Sequence, residues 1–197
     1  MEKKTIRLSE GLFTLRPMKK EEAALAKQMC DLCVGKNLYS LDTLEAAAED
    51  PYKRFLLLFD PKGQAAGYIY YYPDTAEAFA KASGATPEAF TAVSNGPFGK
   101  LQSLGLLPPY RGWGLAASML RLALEDLSGE GVEAVFALCW KTGDVVPLKQ
   151  TVEACGFRFL RKVSHPWYDD AELICPYCGG RCVCDAEIYF YTKENGL

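Results

Sequence analysis

Hydrophobic residues along the chain follow two spacings, one typical of strands and one typical of helices. Short runs of apolar and aromatic residues end at turn residues, as in 54–60 and 66–72, and such runs predict strands. At Leu115, Met119 and Ala123 the apolar residues recur every four positions, which predicts the buried face of a helix. The pattern predicts strands at 12–15, 54–60, 66–72, 100–107, 132–140, 157–163 and 186–192, and helices at 19–34, 41–49, 112–127 and 147–155.

The middle of the chain predicts a crossover connection. A strand at 100–107 is followed by a helix at 112–127 and by a second strand at 132–140. A strand, a helix and a strand in close succession make the two strands parallel neighbours with a right-handed connection. We therefore expect an α/β protein with a mixed sheet and flanking helices, folded as a single domain over residues 1–197.

Residues 74–97 interrupt this pattern. The stretch is rich in alanine, and its sizeable apolar residues are Phe79, Phe90 and Val93. This composition predicts two short helices on either side of Gly84. We interpret the stretch as a helical insertion near the substrate side of the fold, where it would supply walls of the binding pocket.

The composition is that of a globular protein and argues against several classes of function. Hydrophobic residues make up 49% of the chain, charged residues 24%, and the formal net charge is -3. This charge gives no electrostatic reason to expect a nucleic-acid partner, and no apolar run approaches the length of about 18 residues that crosses a bilayer. The charged first residues lack a following apolar segment, so we predict no secretory signal and expect a cytoplasmic protein. A single histidine argues against His-rich zinc hydrolases, and the usual motifs of esterases and nucleoside triphosphatases are absent.

A glycine-containing turn separates the strand at 100–107 from the helix that follows. In Arg111-Gly112-Trp113-Gly114-Leu115-Ala116 the glycines allow a ligand to approach the backbone, and the first helical turn offers unpaired N–H groups. Such a turn can hold a phosphate or a diphosphate. One alternative is a tight turn that only packs the helix on the sheet. Another alternative is a dinucleotide site. Two observations argue against it: the glycines are offset from the usual register, and Glu133 lies at the start of the next strand.

Residues 106–116, Leu-Leu-Pro-Pro-Tyr-Arg-Gly-Trp-Gly-Leu-Ala, resemble the diphosphate-binding motif of the GNAT acyltransferase superfamily. Arg111, Gly114 and Ala116 stand at its three fixed positions. The order of predicted elements resembles that fold over nearly the whole chain, which implies a mostly antiparallel twisted sheet with the parallel crossover unit at its centre. The resemblance implies acetyl-CoA binding, with the diphosphate on the turn and the pantetheine along a splayed strand end, where Gly105 suits a bulge. The cofactor-binding residues implied are Gly105, Leu106, Leu107, Arg111, Gly112, Trp113, Gly114, Leu115 and Ala116.

The resemblance also implies N-acetyltransfer from acetyl-CoA to a small-molecule or peptide amine, by direct attack in a ternary complex. The protein would be a monomer or a homodimer, without nucleic-acid or membrane partners. Family members often place a tyrosine four residues before a Gly-Phe pair, but here that position is Val152, and Val145 stands near the position of a common asparagine. Catalytic residues therefore stay unassigned, and a non-catalytic acyl-CoA-binding or zinc-stabilised interaction module is the alternative. The candidates for a general base are Glu77, Glu88 and His165. The alternative for Glu77 and Glu88 is that they lie on a solvated helix face, and the alternative for His165 is a structural role at a strand end.

Four of the eight cysteines lie within ten residues near the end of the chain. Gly179 and Gly180 allow a chain reversal between the first and second pair. Four thiolates at this spacing suit tetrahedral Zn²⁺ with no open coordination position, so we expect a structural zinc site in a Cys-rich loop at 164–185. Two disulfides, or free thiols, are the alternative. The expected metal ligands are Cys175, Cys178, Cys182 and Cys184, and the expected core cysteines are Cys30, Cys33, Cys139 and Cys155.

Overall fold

The computed structural model describes residues 3–193, which form an eight-stranded sheet with helices on both faces. The strand order is β1-β2-β3-β4-β5-β6-β8-β7, and β5 and β6 are the parallel pair. This confirms the expected mixed, mostly antiparallel sheet with a central crossover unit. The strands are β1 (Lys4–Leu8), β2 (Gly11–Pro17), β3 (Arg54–Phe59), β4 (Ala65–Asp74), β5 (Phe98–Leu106), β6 (Ala134–Lys141), β7 (Arg158–Val163) and β8 (Asp185–Thr192). The helices are α1 (Ala23–Cys33), α2 (Leu41–Glu49), α3 (Ala76–Ser83), α4 (Glu88–Thr91), α5 (Leu115–Gly129) and α6 (Lys149–Ala154).

Strand β1 was not predicted from the sequence. Its buried side chain is Ile6, and the neighbouring Thr5 and Arg7 are exposed. One buried position in five residues is too weak a pattern to indicate a strand. The strand is instead stabilised by its antiparallel pairing with β2, from Lys4 opposite Leu15 to Leu8 opposite Gly11.

The sheet is covered on both faces. In β3, Leu56 and Leu58 pack on the side of α5, whereas Phe55 and Leu57 pack on the side of α1 and α2. All four side chains are buried. A strand covered on both sides has no exposed face, which explains why the apolar run at 54–60 does not alternate with polar residues.

Strands β5 and β6 separate and leave an opening in the sheet. They are paired from Phe98 opposite Ala134 to Leu101 opposite Ala137. Beyond that point β5 continues beside β4, and β6 continues beside β8 as far as Lys141. The inner backbone edges of the two strands therefore face a gap, where their N–H and C=O groups are available to a ligand.

Gly105 permits close packing beside this opening and does not form the bulge that we expected there. The register between β4 and β5 shifts at Gln102, which has no opposite residue on β4. At Gly105 an added Cβ atom would lie 2.5 Å from Cβ of Cys33 and 2.8 Å from Cε1 of Tyr68. The absence of a side chain therefore lets the end of α1 approach β5.

Residues 74–97 form the two expected short helices, α3 and α4, at the start of β5 and β6. The rings of Phe79 and Phe90 have centroids 5.0 Å apart, and Phe90 lies 5.1 Å from Phe136 of β6. Phe98 and Ala134, the first residues of the two strands, belong to the same buried cluster. The segment thus covers the paired end of the strands, away from the opening. Within the described residues, none of the helices is long and apolar enough to cross a membrane.

Candidate functional site

A cleft of about 380 Å³ lies at the opening between β5 and β6. The diverging strand ends form its centre, and the end of α1, the turn before α5, the start of α6 and two aromatic residues of the Cys-rich loop surround it. No residue of 74–97 lines it, so the expectation that this segment supplies the pocket walls is wrong. The reason is that its phenylalanines anchor the segment at the opposite end of the two strands.

The turn before α5 presents a group of backbone N–H donors. Gly112 and Gly114 have φ values of 81° and 78°, a left-handed conformation that favours glycine. Ser118 donates its amide hydrogen to the carbonyl of Gly114 at 3.0 Å, which is the first hydrogen bond of the helix. Among described residues, the amides of 112–117 have no backbone partner, and no side chain caps the helix. Unpaired amides at the positive end of a fifteen-residue helix attract anions.

Arg111 joins this turn to the end of β5. Its Nε donates to the carbonyl of Leu106 at 2.9 Å. Trp113 packs at right angles to Tyr110 and Phe13, with ring centroids 5.9 and 6.2 Å away. These contacts hold the turn against the end of β5 and against β2.

Five of the nine predicted cofactor residues line the cleft, and the other four do not. Gly105, Leu106, Arg111, Gly112 and Ala116 line the cleft. Leu115 is fully buried beneath the turn, and Leu107 packs partly buried on the α1 side, whereas Trp113 is exposed outside the cleft. Gly114 precedes the first residue of α5 and contributes its backbone conformation.

Polar side chains on the α1 side of the cleft form a hydrogen-bonded group. Tyr72 donates to Oε1 of Gln102 at 2.9 Å, and Nε2 of Gln102 donates to the Tyr39 hydroxyl at 3.2 Å. The hydroxyls of Tyr68 and Ser103 lie 2.6 Å apart. Burial raises the pKa of Tyr39 and of Tyr72 above the usual range, so both phenols stay protonated near neutral pH. Gln102 and Ser103 of this group line the cleft, where they can orient a ligand through hydrogen bonds.

The three sequence candidates for a general base lie outside the cleft. Glu77 and Glu88 are exposed on α3 and α4. His165 lies beside the last strand, with Nε2 3.8 Å from Oδ1 of Asp185. In the described part of the chain, no Asp, Glu or His side chain lines the cleft.

Helix α6 presents Thr151 to the cleft, a residue that the sequence analysis did not single out. Val152, at the position of the family's tyrosine, is fully buried in the core beneath α5. Adjacent helical residues point in directions about 100° apart, so only one of the two can face the opening. The sequence signal that could have indicated Thr151 is its place beside Val152 in the same helix, because a neighbour of a core residue points in a different direction.

The four clustered cysteines bring their sulfur atoms together. All four Sγ atoms lie within 4.8 Å of one another, with 3.8 Å between Cys175 and Cys184 and 3.5 Å between Cys178 and Cys184. Four thiolates around zinc at about 2.3 Å are separated by about 3.8 Å in a tetrahedron. A reversal at Gly179 supports the cluster, since the Gly179 amide donates to the Cys175 carbonyl at 2.9 Å. The residues present therefore fit a tetrahedral metal.

Two N–H groups near the cluster also fit thiolate ligands. The Val183 amide donates to Cys178, which lowers the pKa of that thiol. The indole N–H of Trp140 is buried without a hydrogen bond of normal geometry in the described structure. Burial is the largest influence on the Cys184 thiol and raises its pKa. The indole N–H of Trp140 lies close enough to Cys184 to act in the opposite direction and lower that pKa. A thiolate at Cys184 would give this buried donor a charged acceptor.

The other cysteines are largely core residues. Cys30, Cys139 and Cys155 are buried, and burial raises the pKa of Cys30 and of Cys139 to about 12. Cys33 differs from the expectation because it is only half-buried and lines the cleft. Burial raises its pKa to about 11, so it is not a thiolate near neutral pH.

The Cys-rich loop also reaches the cleft. Its residues Trp167 and Tyr177 are part of the cleft wall. Trp167 stacks on Trp140 of β6, with ring centroids 4.5 Å apart and planes at 27°. An antiparallel bridge between Lys36 and Ile174 connects the loop to the segment after α1. The loop therefore covers the α1 side of the opening as well as joining the last two strands.

Comparisons with known proteins agree with this architecture. The model of the acetyltransferase (GNAT) family matches residues 23–157. NAA60 of Arabidopsis thaliana, solved in complex with acetyl-CoA, is 13% identical with a TM-score of 0.69, covering 92% of this chain and 99% of that one. Naa20 of Chaetomium thermophilum with a bisubstrate analogue is 13% identical with a TM-score of 0.65, covering 92% and 87%. A putative GNAT acetyltransferase of Desulfovibrio desulfuricans is 16% identical with a TM-score of 0.60, covering 91% and 98%.

A sequence search of curated proteins gives no match. The structural neighbours are too distant in sequence to transfer more than the fold. The family match covers more than half of the chain and includes the crossover unit, the glycine turn and α6. On this evidence the chain belongs to the GNAT family of acetyltransferases.

Proposed function

We propose that this protein is an acetyl-CoA-dependent N-acetyltransferase. The observation that carries the proposal is the row of unpaired amides at 112–117, which opens beside the gap between β5 and β6. The amides would bind the diphosphate of acetyl-CoA at the N-terminus of α5. The free edge of β5 beyond Leu101 would pair with the amide groups of the pantetheine arm, as one strand pairs with another. This arrangement would place the thioester within the opening.

The reaction would proceed by direct attack in a ternary complex. The nitrogen of an unprotonated amine forms a bond to the thioester carbon, the C–S bond breaks, and the thiolate of CoA leaves. Backbone N–H groups on the open strand edge would stabilise the negative charge that develops on the carbonyl oxygen. The proton released by the attacking nitrogen passes to water, since the described lining contains no carboxylate or imidazole.

The lack of a tyrosine at Val152 is compatible with this chemistry. A free thiol has a pKa near 8.5, so a thiolate leaves without prior protonation at moderately alkaline pH. Holding the amine against the thioester supplies much of the rate acceleration by proximity alone. The acceptor would be a small-molecule or peptide amine, and the protein a monomer or a homodimer.

The competing proposal is a binding module that has lost catalysis. Two measurements separate the two proposals. Acetyl-CoA should raise the melting temperature in a concentration-dependent way, because it binds only the folded state. Release of CoA should then accompany acetylation of an amine. This release is followed by chromatography, because the exposed Cys178 would react with thiol reagents. Stabilisation by acetyl-CoA without CoA release from a broad amine panel would favour the binding module, and no stabilisation would refute both.

We also propose a structural Zn²⁺ held by Cys175, Cys178, Cys182 and Cys184. When bound, the metal would cross-link the loop between β7 and β8 and add folding free energy. The chain's own contribution is the Gly179 reversal and the amide donor to Cys178. A reducing compartment such as the cytoplasm would keep these thiols free for the metal.

Elemental analysis tests the metal proposal. Protein purified without chelator should carry about one equivalent of zinc, since four thiolates complete one tetrahedral site. Cys182→Ser should lower this content strongly, whereas Cys155→Ser, at a buried cysteine outside the cluster, should leave it unchanged. A zinc content below about a tenth of an equivalent in the unmodified protein would refute the proposal.

A further inference from the structure

Acetyl-CoA bound as proposed would leave the acceptor to approach the cleft from the side of the sheet that carries α1. The amides at 112–117 begin α5, which covers the opposite face. A diphosphate bound there directs the thioester through the opening toward the α1 side. Leu38, which follows α1, packs both on the α1 cluster and on the cluster of buried cysteines. The Cys-rich loop therefore borders the space in which the acceptor would lie.

That side of the cleft carries an aromatic wall, formed by Trp140, Trp167 and Tyr177. The ring of Tyr177 stands nearly perpendicular to Trp140, with centroids 6.3 Å apart and planes at 68°. The side chain of Tyr177 is 49% exposed, although it lines the cleft. An aromatic side chain left this accessible beside a stacked tryptophan pair offers apolar surface to a ligand.

The charges around the cleft restrict the acceptor further. Arg111 is the charged residue in the described lining, and no carboxylate is present there. An ammonium group that enters the cleft can lose its proton and react, so it needs no permanent partner. The described lining offers no carboxylate to a second ammonium on the same molecule. An acceptor with one positive charge therefore suits this lining better than a polycationic one.

We infer that the acceptor is a primary amine with a single positive charge and an adjacent aromatic or bulky apolar group, which contacts Trp140, Trp167 and Tyr177. This inference rests on the proposed acetyltransferase function and names its substrate class. Two sources share the chemistry: a free arylalkylamine, and the N-terminus of a peptide whose first side chain is aromatic or large and apolar.

A matched amine panel tests the inference with acetyl-CoA as donor. Hexylamine and 1,6-diaminohexane differ only by a second ammonium, and kcat/KM for the monoamine should be higher by about tenfold or more. 2-Phenylethylamine should be a better acceptor than hexylamine. A heptapeptide beginning with Phe, compared with the same peptide beginning with Asp and with 2-phenylethylamine, shows which source is preferred.

Two variants of the Cys-rich loop test the role of the wall. Tyr177→Ala should raise KM for 2-phenylethylamine by about 3- to 10-fold and leave KM for acetyl-CoA unchanged. Tyr168→Ala is the matched control, since Tyr168 is 45% exposed on the same loop and does not line the cleft. It should leave both KM values unchanged.

Equilibrium binding keeps this inference separate from the proposed function. Calorimetric titration of 2-phenylethylamine into CoA-saturated protein should show binding that Tyr177→Ala weakens and Tyr168→Ala does not. Failure of acetyl-CoA to bind would refute the proposed function. Equal use of hexylamine and 1,6-diaminohexane, or no amine binding to protein that does bind CoA, would overturn the acceptor assignment.

Discussion

Substitution of Gly114 by alanine tests the diphosphate site most directly. Gly114 precedes α5 with φ of 78°, and its turn presents the unpaired amides. An added Cβ atom would meet no other atom within 4 Å, so the variant introduces backbone strain without a steric clash. Gly131, which follows the opposite end of α5, has φ of 84° and equally open surroundings. Gly131→Ala is therefore a control with similar backbone strain at the end of α5 away from the turn.

The two variants should lose similar stability but differ in ligand affinity. A left-handed conformation costs a non-glycine residue about 1–2 kcal/mol. For a chain of this size each kcal/mol lowers the melting temperature by about 2–4 °C. At Gly114 relief of the strain turns the neighbouring amides away from the diphosphate. A hydrogen bond to a charged group contributes about 1.5–3 kcal/mol, so losing one weakens acetyl-CoA binding by about 10- to 100-fold.

Thermal melting without ligand and calorimetric titration with acetyl-CoA measure the two effects separately. We expect Gly114→Ala and Gly131→Ala to melt at similar temperatures, with only Gly114→Ala binding acetyl-CoA more weakly. Unchanged affinity in Gly114→Ala would show that the turn does not hold the diphosphate. Equal weakening in both variants would show that affinity follows general stability.

Three further outcomes are expected. Gly105→Ala should destabilise the protein by about 1–3 kcal/mol in urea unfolding. The reason is that the added Cβ would lie 2.5 Å from Cβ of Cys33 and 2.8 Å from Cε1 of Tyr68. Unchanged stability would contradict that packing. The logarithm of kcat/KM should rise with pH at unit slope up to the pKa of the acceptor amine. The reason is that burial raises the pKa of the Cys33 thiol to about 11 and no described carboxylate or imidazole lines the cleft. A bell-shaped profile centred near pH 7 would reveal an enzyme base. Hydrogen bonding to Arg16 lowers the pKa of Glu22 from 4.5 to about 2, so its contribution to stability is present above pH 4.5 and is lost as pH falls toward 2. Glu22→Gln should therefore lower the unfolding free energy by about 1 kcal/mol at pH 7 and have little effect at pH 2, and an equal loss at both values would count against the ion pair.

Local signals in the sequence were enough to predict several parts of the structure. Helix α2 spans Leu41–Glu49 as expected, because the Ser40 side chain accepts a hydrogen bond from the Thr43 amide at its start and Pro51 follows its end. The turn at Gly112 and Gly114 could also be predicted from the sequence, since left-handed backbone conformations strongly favour glycine. The four cysteines suggested a metal site because their spacing allows a chain reversal.

Other features depend on contacts between residues far apart in sequence. Strand β1 forms because β2 offers an edge, and the position of residues 74–97 follows from packing of Phe79 and Phe90 on β6. Whether Thr151 or Val152 faces the cleft depends on how α6 rotates against the core. No local pattern contains that information.

The sequence by itself determined all the strands and helices except β1, together with the crossover unit and the turn that can hold a diphosphate, since each depends on the conformational preferences of neighbouring residues. Only the tertiary structure decided which side chains surround the opening. Trp140 stands on β6, whereas Trp167 and Tyr177 stand on the loop between β7 and β8. They meet because β8 lies between β6 and β7 in the sheet, an order fixed by long-range strand pairing. The chemistry of the acceptor side therefore could not be obtained from local sequence.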